Sequence, residues 1–178
     1  MSCNHGYSFR YPETCTFSCN HGYHRSEGST SRTCQADRRW SGSAIRCCPN
    51  GYEYYQPSRF CYKAFNQEID RSNYNDAAAT CASEGGTLAM PSDAGINAFL
   101  LSLKNAGDFW FGLSDRGQEG RFVWANGVPL GHFNHWAPEE PNDHDGGEDC
   151  AHYWVDKGDR WNDNFCDKSM KFICQVAT

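Results

Sequence analysis

The sequence predicts an α+β domain that follows a small, disulfide-rich β module. Three observations carry this prediction: two runs with helical spacing near the middle of the chain, four short apolar runs with strand composition after them, and eleven cysteines among 178 residues. So many cysteines favour an oxidising compartment and a framework of disulfide bonds. We therefore expect a secreted or extracellular protein.

Length and composition fit one ordinary domain plus a small module. Apolar residues make up 39% of the chain and aromatic residues 15%, which is enough for a packed core. The formal net charge of -6 supplies no basic surface for nucleic acid. No apolar run approaches the length of a membrane span, so we expect no membrane insertion.

Neighbouring Cys47 and Cys48 mark the predicted domain boundary, because vicinal cysteines seldom bridge each other and more often belong to two modules. Residues 1–47 are polar and contain five cysteines, so this module depends on disulfides for its stability. Residues 48–178 form the second domain. Because the chain starts abruptly inside cysteine-rich sequence, we expect it to be a piece of a longer secreted protein.

Two helices are predicted at the start of the second domain. Residues 73–83 place apolar side chains at spacings of three and four, and Gly85-Gly86 ends this helix. Ser92 is the predicted N-cap of a second helix. Its apolar stripe consists of Ile96, Phe99, Leu100 and Leu103.

Short strands follow the helices. They are predicted at residues 109–113, 121–124, 151–155 and 171–174. Helices first and strands afterwards predict the α+β class. Residues 125–149 form a stretch without regular structure, and loops of this length in compact domains are usually functional.

Carboxylates are concentrated in and after this loop. Ten of the 22 acidic residues fall between Glu139 and Asp167, interleaved with asparagines and glycines. Without a cation these charges would repel one another, and calcium takes six to eight oxygen ligands from flexible backbone of this kind. The segment therefore predicts a calcium site, with a solvated acidic loop as the alternative.

The motifs of the second domain together resemble a C-type lectin domain, from Cys48 to Gln175. Glu140-Pro141-Asn142 and Trp161-Asn162-Asp163 are similar to the sugar-site motifs of that family, and Trp110-Phe111-Gly112-Leu113 lies where the family has its core strand. The resemblance implies the C-type lectin fold in its long form. It also implies the disulfides Cys48–Cys61, Cys81–Cys174 and Cys150–Cys166.

Residues 1–47 resemble a truncated, selectin-like sushi (complement-control) module, on the pattern Cys15-Thr16-Phe17-Ser18-Cys19 followed by Trp40-Ser41-Gly42. The resemblance implies the disulfides Cys3–Cys15 and Cys19–Cys47, which leaves Cys34 without a partner.

The lectin resemblance implies two or more calcium ions and a cis peptide bond before Pro141. The main ion would be held by Glu140, Asn142, Glu148, Asn162 and Asp163. A second ion would be held by Asp115, Glu119, Asp143, Glu148 and Asp149.

The Glu-Pro-Asn order implies a site for mannose-type sugars with equatorial 3- and 4-hydroxyls: mannose, N-acetylglucosamine, glucose or fucose. Glu140 and Glu148 would accept hydrogen bonds from the sugar, and Asn142 and Asn162 would donate them. His144 would pack against the sugar ring or stay in solvent. So few contacts predict a weak single site, on the order of 1 mM, so we expect a homo-oligomer that gains avidity in glycan or microbial recognition.

Three alternatives stay open at this stage. The first is a selectin-like cell-adhesion or protein-binding module. The second is a glycosidase using Glu139, Glu140 and Glu148, which is disfavoured because bound calcium lowers a carboxylate pKa whereas a general acid needs a raised one; we predict that the chain is not an enzyme. The third is a zinc site, built from His132, His135, His144 and His152.

Overall fold

The computed structural model describes residues 2–3 and 11–178, with side chains from residue 11 onward. The chain divides into two compact units, residues 1–54 together with Thr178, and residues 55–177. The domain boundary at Cys47-Cys48 stays a prediction.

The first unit is built from short strands. They are β1 (Ser2–Cys3), β2 (Thr14–Thr16), β3 (Tyr23–Glu27), β4 (Ser31–Thr33) and β5 (Arg46–Pro49). They form a three-stranded sheet in the order β1-β2-β4 and a two-stranded sheet of β3 and β5. A disulfide joins Cys19 to Cys47, and Cys34 is a buried free cysteine. The predicted bridge between Cys3 and Cys15 lies outside the described residues, because the Cys3 side chain is not among them.

The second unit contains both helices and a larger sheet. Its elements are β6 (Glu53–Tyr55), in which the boundary between the units falls, β7 (Phe60–Phe65), α1 (Tyr74–Ser83), β8 (Thr87–Leu88), α2 (Ala94–Leu103), β9 (Phe109–Ser114), β10 (Val123–Trp124), β11 (Cys150–Trp154), β12 (Arg160–Asn164) and β13 (Lys171–Ala177). Short 3-10 helices span Glu68–Asp70 and Val155–Lys157. The strand order is β12-β11-β9-β13-β7-β6, with β10 beside β9 and β8 beside β13.

Both predicted helices are present, and one predicted cap is wrong. The side chain of Asn73 caps α1 by accepting a hydrogen bond from the backbone N–H of Asp76 at 2.9 Å. Asp93, and not Ser92, caps α2, because its carboxylate accepts from the backbone N–H of Ile96 at 2.8 Å. A carboxylate at this position is also stabilised by the positive end of the helix dipole.

The predicted strands differ from the structure mainly in length. β9 and β13 extend beyond the predicted runs, whereas the run at residues 121–124 shortens to Val123–Trp124. β12 was not predicted, because its sequence Arg-Trp-Asn-Asp-Asn has little strand propensity of its own. It is a strand because it pairs antiparallel with β11 along its full length.

Trp161 joins the long loop to the core. Its side chain is fully buried, with ring centroids 5.1 Å from Phe111 and 5.7 Å from Trp136. Its backbone also holds the loop, because its N–H donates to the carbonyl of His135 and its carbonyl accepts from the N–H of Ala137, both at 2.8 Å. Residues 125–149 form no helix or strand, but residues 135–137 of this stretch are held against β12 by these contacts.

Two long-range disulfides stabilise the second unit. Cys81–Cys174 closes a loop of sequence separation 93, and Cys150–Cys166 closes one of 16. Chain-entropy estimates assign about 4.7 and about 3 kcal/mol to loops of these sizes. Cys48 and Cys61 are also disulfide-bonded, and their pairing with each other stays a prediction.

Candidate functional site

A cavity of about 280 Å³ lies where the long loop meets β11 and β12. Five of the six residues predicted to bind sugar line it: Glu140, Asn142, His144, Glu148 and Asn162. The sixth, Asp163, is 1% exposed and accepts a hydrogen bond from the backbone N–H of Asn142 in the loop. We call Glu140, Asn142, Glu148, Asn162 and Asp163 the Glu140 cluster.

The register of two strands sets one side of this cluster. Asn162 lies opposite His152, and Asp163 lies opposite Ala151. Since side chains alternate across a strand, Asn162 and His152 share one face of the sheet. The disulfide between Cys150 and Cys166 joins the ends of the two strands.

Asp163 positions the other side of the cluster. One of its carboxylate oxygens accepts from the backbone N–H of Asn142 at 3.2 Å, and the other accepts from that of Asp143 at 2.9 Å. The Glu140-Pro141 peptide bond, within the Glu-Pro-Asn motif, is cis, as the resemblance implied. The Glu-Pro-Asn motif is thereby held beside the end of β12.

Glu140 has an unsatisfied carboxylate. Its Oε2 is buried and has no hydrogen-bond partner among the described residues. Burial raises the pKa of Glu140 to about 7, and a side-chain hydrogen bond with Asp163 and the charges of Asp163 and Glu148 act in the same direction, so the Glu140 carboxyl group is paired with Asp163 although its Oε2 is not. A buried acceptor without a donor is costly, so this oxygen is suited to bind a cation.

Glu148 and Asp143 are fixed by a tight turn of the loop. Glu148 accepts from the backbone N–H of His144 at 3.0 Å, and burial raises its pKa. The carboxylate of Asp143 accepts from the backbone N–H groups of Gly147 and Glu148, which lower its pKa. Asp143 therefore shapes the turn that presents Glu148 to the cavity.

His152 orients the amide of Asn162. Its Nδ1 lies 3.1 Å from the carbonyl oxygen of Tyr153, which can only accept, so Nδ1 carries the proton. Burial lowers the pKa of this imidazole, so the ring is neutral and Nε2 accepts from Asn162 Nδ2 at 3.2 Å. Asn162 Nδ2 also donates to the carbonyl of Asp163. Both amide hydrogens are thus used, so within the Glu140 cluster Asn142 is the side-chain amide that can donate to a ligand.

A second group of carboxylates is formed by two residues of the loop after β9 and by the residue that precedes β11. Asp115, Glu119 and Asp149 have ligand atoms that all lie within 4.8 Å of one another, and we call them the Asp115 cluster. Asp115 is 2% exposed. Its Oδ2 accepts from the backbone N–H of Gly120 at 2.8 Å, whereas its Oδ1 is buried and has no partner among the described residues. Burial raises the pKa of Asp115 to about 6.

The Asp115 cluster is smaller than the predicted second calcium site. Asp143 and Glu148, the other two predicted ligands, are not in the group that lies within that distance. They are taken up by the turn of the long loop, as described above. Three of the five predicted ligands are therefore brought together.

The alternative zinc site of four histidines is not formed among the described residues. Within residues 11–178, the Asp115 cluster is the one group of three or more His, Cys, Asp or Glu side chains close enough to share an ion. His144 is exposed at the cavity rim, with Nε2 3.6 Å from the carboxylate of Asp145. His152 is buried and acts through Asn162.

Sequence reasoning missed four residues that line the cavity: Asp108, His152, Trp154 and Asn164. His152 had been considered only as a zinc ligand. A signal for two of them was present, because Ala151 and Tyr153 are apolar and alternate with His152 and Trp154. The face that they share could be assigned to the site only once the pairing of β11 with β12 was known.

The donor chemistry of both clusters fits calcium, but among the described residues only the carboxylates of the Asp115 cluster lie within 4.8 Å of one another; those of Glu140, Glu148 and Asp163 do not form such a group. Each cluster contains a buried carboxylate oxygen without a partner, and the donors are carboxylate and amide oxygens on irregular backbone. Calcium prefers such hard oxygen ligands.

Comparison with known families identifies the class of protein. The family model for the lectin C-type domain matches residues 70–176, so the chain belongs to this family. Proteins of the C-type lectin domain family are non-enzymatic carbohydrate-binding proteins, which confirms the prediction that the chain is not an enzyme. The model for the sushi repeat (SCR repeat) matches residues 1–48. Lectin and sushi domains are typically extracellular.

Individual relatives are similar over the second unit. Collectin-10 of Gallus gallus is 39% identical over 109 residues, which cover 60% of this chain and 39% of that protein. A C-type lectin mannose-binding isoform of Oxyuranus scutellatus is 34% identical over 137 residues, covering 72% of this chain and 83% of that protein. The chain thus spans well under half of the collectin.

A solved structure confirms the fold. The carbohydrate-recognition domain of cow CD23, determined in the presence of a GlcNAc2Man3 oligosaccharide, has a TM-score of 0.66 and 30% identity. The match covers 74% of this chain and 96% of that one. The second unit has the C-type lectin fold. Within the described part of the chain, neither helix is long and apolar enough to cross a membrane.

Proposed function

We propose that the Glu140 cluster binds calcium and, through it, sugars of the mannose type. The observation that carries this proposal is the buried Oε2 of Glu140, which has no hydrogen-bond partner among the described residues, on a residue that lines a cavity together with further oxygen ligands. Glu140, Asn142, Glu148, Asn162 and Asp163 would hold the ion. When bound, calcium would supply open coordination positions for two vicinal hydroxyls of a sugar.

The side chains around that ion would complete the hydrogen bonds of the sugar. Glu140 and Glu148 carry acceptor oxygens for hydroxyl protons, and Asn142 carries a free amide donor for a hydroxyl oxygen. Asn162 contributes its Oδ1, because Nδ2 is committed to His152 and Asp163. A polar ligand can then leave water without unpaired groups, which is the main requirement for binding it.

The Glu-Pro-Asn order supports mannose, N-acetylglucosamine, glucose or fucose over galactose. The mannose-binding isoform among the relatives supports the same class. The Asp115 cluster would hold a second calcium ion, which gives two or more ions in all. A weak site on the order of 1 mM would need several copies, so the protein would act as a secreted homo-oligomer in glycan or microbial recognition.

A mannan column tests the proposal. Retention in calcium, elution by chelator, and elution by free mannose but not by an equal concentration of galactose are the expected results. Retention that persists in chelator would contradict the calcium step. Equal elution by the two sugars would contradict the sugar class.

A second candidate is a selectin-like adhesion or protein-binding module. The sushi match that directly precedes the lectin domain favours it. As a protein-binding module, the protein would bind cells whose surface glycans have been removed enzymatically. Under the first proposal, that treatment would abolish binding.

A further inference from the structure

A separate and larger cavity is lined by residues of α1, β8, the loop after β9, and β10. It has a volume of about 630 Å³, which is within the range of small-molecule sites in proteins. Its apolar lining includes Leu88 and Trp124, which are 1% and 6% exposed, and the alanines Ala78 and Ala82 on one face of α1. We call it the arginine cavity, for the two side chains described next.

Arg116 and Arg121 supply the charge of this cavity. Arg116 is held in place, because it donates to Asn75 Oδ1 at 2.6 Å and its guanidinium lies 5.0 Å from the ring centre of Tyr74. Arg121 is exposed, and among the described residues its guanidinium has no hydrogen-bond or ion-pair partner. The cavity thus presents one fixed and one unpaired cation.

None of the fifteen described residues that line the arginine cavity is acidic. This is unusual in a chain whose net charge is -6. The loop after β9 explains the separation of charges. Arg116, Gly117 and Gln118 line the cavity, whereas Asp115 and Glu119 belong to the Asp115 cluster. A ligand with a negative head would therefore meet only cations and neutral groups along the lining.

We propose that the arginine cavity is a second ligand site, distinct from the Glu140 cluster, which takes small amphipathic anions. The apolar body of the ligand would pack on Leu88, Trp124 and the alanines of α1. Its head, a carboxylate, sulfonate or phosphate, would accept hydrogen bonds from Arg121 and Arg116. Sugars lack the apolar body and the charge, so this site would not compete with the sugar site.

A pair of fluorescent probes tests the role of charge. Anilinonaphthalene sulfonate carries a sulfonate on an apolar body, and N-phenyl-1-naphthylamine has the same body without it. Both are titrated into the full chain in calcium with saturating methyl mannoside, so that the sugar site is filled. The sulfonate is expected to bind at one site about tenfold more tightly, which is the effect of a charge-assisted hydrogen bond. Equal affinity of the two probes would overturn the proposal.

Two variants locate the site. Arg121→Gln removes the unpaired cation and should weaken sulfonate binding about tenfold while leaving the neutral probe unchanged. Ala82→Trp fills the cavity from an exposed position on α1 and should abolish binding of both probes. The matched control is Arg39→Gln, at an exposed arginine of the first unit. Unchanged binding of both probes in Arg121→Gln and Ala82→Trp would overturn the assignment.

Competition then identifies the head group. Octanoate and octyl phosphate should each displace the sulfonate probe, and their relative strength distinguishes a carboxylate from a phosphate ligand. Displacement by uncharged octanol as strong as by either anion would overturn the anionic selectivity. Thermal unfolding and mannoside binding establish that each variant is folded, independently of the probes.

Discussion

The two acidic clusters of the second unit differ in what surrounds their carboxylates. The Glu140 cluster mixes carboxylates with the amides of Asn142 and Asn162 and opens into a cavity. The three side chains that define the Asp115 cluster are all carboxylates. Both contain a buried carboxylate oxygen without a partner, on Glu140 and on Asp115.

This difference separates a ligand site from a structural one. Carboxylates alone can neutralise a cation, but a sugar hydroxyl needs an acceptor for its proton and a donor for its oxygen. The Glu140 cluster has both, whereas the Asp115 cluster has acceptors only. We therefore expect sugar binding at the first cluster and a supporting role for the second, whose Asp149 precedes Cys150 at the start of β11.

Glu140→Gln should have the largest effect. It replaces a charged calcium ligand by a neutral side chain of the same shape, so calcium and mannoside affinity should each fall roughly hundredfold or more. Calorimetric titration measures both. The control is Glu139→Gln, which removes an exposed neighbouring carboxylate outside the cluster and should change either affinity less than about threefold.

His152→Phe should rank second. Without Nε2 the amide of Asn162 loses an acceptor that fixes its orientation, and loss of such outer partners typically costs about 10- to 100-fold in metal affinity. His152→Gln retains an acceptor oxygen and should recover part of the loss. If both variants bound calcium as tightly as the native chain, His152 would have no orienting role.

Asp115→Asn should affect sugar binding least among the substitutions. We expect the number of calcium ions bound to fall by one, with a loss of mannoside affinity of less than about tenfold, because no sugar contact is removed. Calcium stoichiometry and mannoside affinity are obtained from the same pair of titrations. A loss as large as that of Glu140→Gln would erase the proposed distinction between the clusters.

The pH dependence of stability should be the smallest effect. Because the pKa values of Glu140 and Asp115 are raised to about 7 and about 6, their protonated forms stabilise the calcium-free protein at low pH. This contribution to stability is fully present below the ordinary carboxyl pKa of about 4, and it is lost as pH rises through the raised pKa values of about 6 and 7. Calcium replaces these protons, so the increase in Tm that it causes should grow by a few degrees from pH 5 to pH 8. A constant increase would contradict the pKa shifts.

The fold was predictable where patterns were local. The apolar spacing in residues 73–83 and the stripe along α2 located both helices to within a residue or two. The sequence did not predict that Asp93 caps α2 in place of Ser92, because either side chain can cap a helix and only the geometry at Ile96 distinguishes them. β12 was not predicted, because its strand conformation comes from pairing with β11 and not from the strand propensity of its own residues.

The same limit applies to the site. The Glu-Pro-Asn and Trp-Asn-Asp motifs predicted three of the residues that line the cavity, Glu140, Asn142 and Asn162, because each motif is a unit of neighbouring residues. His152 and Asp108 could not be assigned in this way, since His152 reaches the cavity from β11 and Asp108 from the residue that precedes β9. The burial that raises the pKa of Glu140 also depends on packing that the sequence alone does not define.

The most direct test of the account is a calorimetric titration of the native chain with methyl mannoside, performed once in calcium and once in chelator. The account predicts saturable binding in calcium and no measurable binding in chelator. Equal mannoside affinity under the two conditions would contradict it.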